Sequence, residues 1–170
     1  MQSEMGDRRR AAAIAQIGAI AIGVLAALTN SALAAPWTRQ CQGPAGSEAE
    51  QCIVQQNVTV GREVIMVASF GIPGPDRQPA GTITIPLNTK LSAGLSVRVD
   101  GNPETLLRFD HCSRQGCRST FEVSASLLKT MLSGQALHTT WQGIDGKTVQ
   151  LQFDLSGFKA AWSSVAQARQ

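Results

Sequence analysis

Four cysteines, Cys41, Cys52, Cys112 and Cys117, sit behind an N-terminal stretch built like an export leader, and these two features restrict the fold more than anything else in the chain. Arg8, Arg9 and Arg10 form a basic cluster, and the run from Ala11 to Leu28 is apolar apart from Gln16 and glycines. Ala32-Leu33-Ala34 then places small residues at the two positions that a signal peptidase reads. Proline just after a cut makes a poor substrate, so cleavage is expected after Ala34, with Ala35-Pro36-Trp37 as the mature start. The competing reading is an uncleaved anchor, since the apolar run approaches the roughly 18 to 20 residues that span a bilayer; its alanine-rich composition makes a weak span. The expected organisation is a signal peptide over 1–34 and one domain over 35–170, the latter not membrane-spanning.

An even number of cysteines in a chain sent to an oxidising compartment calls for disulfides. Four cysteines permit three pairings, and nearness in sequence favours Cys41 with Cys52 and Cys112 with Cys117. A zinc site is the rival, but neither pair has the C-x2-C spacing that brings two thiolates to one tetrahedral metal, and no histidine pair completes it. Composition supports one packed core, with 43% hydrophobic and 16% charged residues. The leader holds three of the fifteen basic and two of the twelve acidic residues, so the remainder is nearly neutral and carries no dense Lys/Arg stripe for nucleic acid.

From Trp37 to Phe153 the pattern is one of short strands between turn clusters. Residues 51 to 60 alternate, with Cys52, Val54, Gln56, Val58 and Val60 on one side; residues 63 to 70 do the same with Val64, Met66, Ala68 and Phe70. Three prolines and two glycines between Gly71 and Ala80 demand an exposed loop. Strands are expected at Thr82 to Leu87, Leu95 to Val99, Thr105 to Phe109, 118 to 123, 136 to 142 and 147 to 153, with Asp100-Gly101-Asn102-Pro103 as a turn. Ser124 to Gly134 has the signals of a short helix, with Ser124 or Ser126 as its cap and Leu127, Leu128, Met131 and Leu132 on one face. A second helix from about Ser156 would carry Phe158, Trp162 and Val165 as an apolar stripe. The fold class is therefore mainly β: an antiparallel β-sandwich with two short helices, one of them C-terminal.

Particular residues in order resemble the invasion-associated locus B family of bacterial exported proteins. They are Trp37, Cys41 and Cys52; Ile85-Pro86-Leu87 with Leu91 and Gly94; Val99-Asp100-Gly101; Phe109 before Cys112; Gly116-Cys117; and Leu155-Ser156-Gly157-Phe158 with Ala161. The resemblance implies a periplasmic or outer-membrane-associated β-rich protein, linked in some pathogens to entry into host cells. It implies no molecular activity, because the family is named for a phenotype.

Chemistry is sparse. There is no G-x-S-x-G elbow, no H-E-x-x-H helix and no phosphate-cradling glycine loop. Asp110-His111-Cys112 is the most suggestive constellation, since an imidazole beside a thiol can activate it. A Cys112 tied to Cys117 has no free thiol, however, and neighbours on a strand point to opposite faces. His138 reads as a surface strand residue, and Glu48 and Glu50 as solvated loop carboxylates. Trp37, Trp141 and Trp162 read as core, Trp37 beside the first disulfide and Trp162 on the sheet. Cys41, Cys52, Cys112 and Cys117 are thus expected as disulfides and Trp37, Gly116, Phe158 and Trp162 as structural residues, with no catalytic residue, cofactor or metal. The functional expectation is a non-enzymatic envelope protein, an accessory factor in host-cell adhesion or invasion whose partner is an unknown envelope or host-surface protein. The alternative is a periplasmic binding or housekeeping module without a host-directed role.

Overall fold

The computed structural model describes residues 32–34, 36–44, 50–74 and 76–167. The basic cluster and apolar run of the expected leader, the expected new terminus at Ala35, and Glu48 lie outside these described residues.

Strict alternation builds the larger sheet. Strand β3 (Gln51–Val60) buries Cys52, Val54, Gln56 and Val58, and β4 (Glu63–Gly71) buries Met66, Ala68 and Phe70. They continue into β5 (Ala80–Ile85), which buries Ile83 and Ile85, and β9 (Gly116–Glu122), which buries Cys117 and Ser119. Two short strands, β1 (Ala32–Ala34) and β2 (Thr38–Gln42), pair along the outer edge of β3, and β8 (His111–Ser113) closes the opposite margin against β9. The order is β1-β3-β4-β5-β9-β8, with β2 beside β1 on β3 and every pairing antiparallel.

The smaller sheet has the order β11-β10-β6-β7, from β6 (Leu95–Val99), β7 (Thr105–Leu107), β10 (Ala136–Gln142) and β11 (Thr148–Asp154). Its apolar face meets that of the first: Thr139 Oγ1 on β10 lies 3.3 Å from Met66 Sδ on β4 and donates to Leu151 O at 2.9 Å. Leu95, Val97, Val99, Leu137 and Phe153 fill the layer from this side.

Helix α1 (Ala125–Ser133) starts at Ser124, whose Oγ accepts from Leu127 N at 3.2 Å, and ends at Gly134. Met131 is buried, and Leu127, Leu128 and Leu132 pack partly against the core. Helix α2 (Phe158–Gln167) begins two residues later than the expected Ser156, because Asp154 Oδ1 accepts from Ser156 N in a turn ahead of it. Phe158, Trp162 and Val165 are its buried stripe; Lys159, Ser163 and Gln167 face water. The stripe lies against β2, β3 and β4 of the larger sheet.

Other local expectations need correction too, among them the strand expected over Thr105 to Phe109, which ends at Leu107. The strand expected over Thr82 to Leu87 begins at Ala80 and stops at Ile85, since Pro86 has no N–H to continue a ladder. Val64 is 49% exposed rather than in line with Met66, because a bulge shifts the register from Val58–Met66 to Thr59–Val64 and leaves Ile65 as the extra residue. The strand expected from 118 starts at Gly116 and has β8 as its hairpin partner.

Candidate functional site

Both expected disulfides are formed, and both join residues directly opposite each other across antiparallel strands: Cys41 to Cys52 between β2 and β3, Cys112 to Cys117 between β8 and β9. Each pairs an exposed cysteine with a buried one. His111 is exposed and opposite Arg118, so beside it stands a sulfur already in covalent linkage and not a thiolate. Sulfur and carboxylate donors of Cys41, Glu50 and Cys52 lie within 4.8 Å of one another, which resembles a metal group in shape. Bonding between the two sulfurs removes the thiolate character that a metal needs. Glu50, expected as a solvated loop residue, is 15% exposed and sits 3.9 Å from the Arg39 guanidinium.

The hairpin carrying the second disulfide depends on Gly116. Its φ of +127° lies where side-chain-bearing residues are strained, and a Cβ there would stand 2.3 Å from Ile85 O. Removing either disulfide by a paired Cys→Ser change is expected to cost roughly 2 to 3 kcal/mol, the 11-residue separation of Cys41 and Cys52 slightly more than the 5-residue one. Urea midpoints of the two double variants measure this; equal stability of both with the parent would refute it.

Trp37, Phe158 and Trp162 come together with Phe70 and Phe153. The Trp37 ring lies 4.9 Å edge-on from Phe158, 5.7 Å from Phe70 and 6.4 Å from Phe153, and Phe158 stacks on Trp162 at 6.1 Å. Trp37 also shares the core cluster with Cys52 of the first disulfide. Its indole N–H donates to Asp154 O at 2.7 Å, and the amide of buried Gln56 donates to the same oxygen at 2.9 Å. All five rings are buried in the core. Trp141 is buried on β10, opposite Leu95 and Val149.

Polar chemistry gathers instead on the outer face of the smaller sheet. His138 stands between Arg98 and Gln152 across the strands, and Thr140 between Ser96 and Gln150, around a shallow depression of about 390 Å³. Glu104 accepts from Ser96 Oγ at 2.7 Å and lies 3.7 Å from Arg98 Nε, so Arg98 is partly engaged.

Asp100, expected as a turn residue and a landmark of the resemblance, also clamps the chain. Its carboxylate accepts from Gln135 N at 3.0 Å and Ala136 N at 2.9 Å, tying the β6–β7 turn to the junction of α1 and β10. Those backbone donors, and to a lesser degree the nearby His138, hold its pKa below the ordinary carboxylate value. A lowered folded-state pKa stabilises the fold above the unfolded pKa, and this contribution is lost as pH falls through the lowered value.

The model of the invasion associated locus B (IalB) proteins matches residues 37–166. The chain belongs to the IalB family. An invasion protein B homolog of Brucella abortus strain 2308 is 25% identical over 133 residues, covering 76% of this chain and 75% of that one, and the homolog of Brucella abortus biovar 1 matches equally. The crystal structure of invasion associated protein B from Bartonella henselae shares the fold, with a TM-score of 0.69 at 18% identity, covering 77% of this chain and 90% of that one. Trp37, the four cysteines, Gly116, Phe158 and Trp162 all fall within the span that matches IalB.

Proposed function

We infer that this IalB chain is an exported cell-envelope protein that acts by binding, as an accessory factor in host-cell adhesion or invasion. The observation that carries the reading is the state of its sulfur: all four cysteines are joined in cross-strand disulfides, which form and persist in oxidising compartments. The same bond takes Cys112 out of use as a nucleophile beside His111. The relatives' names, invasion protein B homolog and invasion associated protein B, supply the host-directed part.

Fractionation of cells producing the full chain tests this. The envelope fraction should hold an oxidised protein whose intact mass begins at Ala35, because Ala32 and Ala34 supply the small pair and Pro36 disfavours a later cut. A mass that includes residues 1–34 would make the apolar run an anchor. Protease added to intact cells then separates the roles. Degradation supports host contact, whereas protection behind the outer membrane would favour a periplasmic module.

A further inference from the structure

The larger sheet contains a gap one strand wide. Strand β4 runs from Glu63 to Gly71, but β5 pairs only with Val67–Gly71, because Pro86 ends it and the chain leaves toward Thr89, which bridges to Gly143 just past the end of β10. Across the gap stands the β8–β9 turn at Arg114–Gln115, which β5 would otherwise separate from β4 by two inter-strand spacings, about 10 Å. The result is a depression of about 540 Å³ with Val64, Ile65 and Met66 on one wall, Arg114 and Gln115 on the other and Pro86 and Leu87 at its end.

Three features make this slot suited to a strand. On the β5 side, Glu63–Met66 have no ladder partner among the described residues, so this stretch of β4 is an open edge. The bulge at Ile65 falls at the level where β5 stops, and bulges redirect side chains and end pairing. The lining offers exposed apolar groups, Val64 being 49% and Leu87 48% exposed, while Glu63 and Arg114 on opposite walls form no ion pair among the described residues.

We propose that this slot is a peptide-recognition site, filled by an extended segment of a partner protein that adds to β4 in place of the missing continuation of β5. Its alternate apolar side chains pack on Val64 and Leu87, and its charges are of both signs, an acidic one toward Arg114 and a basic one toward Glu63. Main-chain bonds supply attraction in strand addition, and the pockets for alternate side chains supply selectivity. The proposal rests on the binding reading above and names its surface. Cellular fractionation reads the one and the experiment below reads the other, so their failures are distinguishable.

The test is amide-resolved NMR of the disulfide-bonded protein titrated with the peptide acetyl-Asp-Val-Thr-Val-Lys-amide. Saturable shifts are expected at Val64, Ile65, Met66, Gln115 and Gly116, with slowed hydrogen exchange on β4, at about millimolar affinity for so short a segment. Arg114→Glu and Val64→Glu, both at exposed positions, should each weaken binding about threefold or more while leaving the rest of the spectrum in place. Absence of saturable shifts, shifts confined to another surface, or a response unchanged in both variants overturns the proposal. So does concentration-dependent broadening of the same amides without peptide, which would assign the slot to a second copy of the chain.

Discussion

Phe158→Ala is expected to lower stability by roughly 3 to 5 kcal/mol, and Trp162→Ala by a similar amount, out of the 5 to 15 kcal/mol typical of a whole domain. Phe158 is fully buried and touches Trp37, Phe70 and Trp162, so its removal leaves a cavity that three other rings border and cannot readily fill. Trp162 is 6% exposed on the next turn of α2. Lys159, one residue from Phe158 on the solvent side, is the control, and Lys159→Ala should change the melting temperature by no more than a surface substitution does. Thermal unfolding followed by tryptophan fluorescence or circular dichroism measures all three. Unchanged melting of Phe158→Ala would mean that α2 does not pack on the larger sheet in solution and that its stripe serves association.

Trp37→Ala should be equally severe, again roughly 3 to 5 kcal/mol, and here a conservative change separates packing from hydrogen bonding. Trp37→Phe keeps an aromatic ring against Phe158 and Phe70 but removes the donor to Asp154 O, which retains the bond from Gln56. Its hydrogen-bond loss should be only about 1 kcal/mol, plus the packing of the smaller ring. Urea midpoints of the two variants give the comparison. If Trp37→Phe costs as much as Trp37→Ala, ring contacts are not what holds this residue. The consequence for the chain is direct: Trp37 is the third residue after the expected cut at Ala34, so a chain beginning at Ala35 would be anchored in the core almost from its first residue.

Much of this architecture was written plainly in the alternation of residues 51 to 70, in the capped run at Ser124–Gly134 and in the spacing of Phe158, Trp162 and Val165. Those signals are local: a period of two or 3.6 and a capping side chain follow from neighbouring residues alone. Val64 was misplaced because a bulge breaks the period through a pairing with a distant strand, which no window of sequence contains. The strand at His111–Ser113 was missed because exposed residues in so short a run give no hydrophobic signal; only its disulfide and its partner β9 define it. The slot beside β4 lay further out of reach. It arises where one strand ends and its neighbours do not, a difference in length that depends on sheet order. Pro86 was the sole local hint.

The two disulfides are also placed with respect to the margins of the larger sheet. One fastens β2 to β3 along one edge, the other fastens β8 to β9 along the opposite edge, and the smaller sheet has none. Outermost strands are where a sheet begins to peel, baring the next row of amides and carbonyls to other chains and to proteases. These covalent rivets keep β2 from peeling off β3 and β8 from peeling off β9, so opening is expected to begin elsewhere, at the unbridged β1, in the unriveted four-stranded layer or at the terminal helix. That distribution guards the strand edges most prone to self-adhesion.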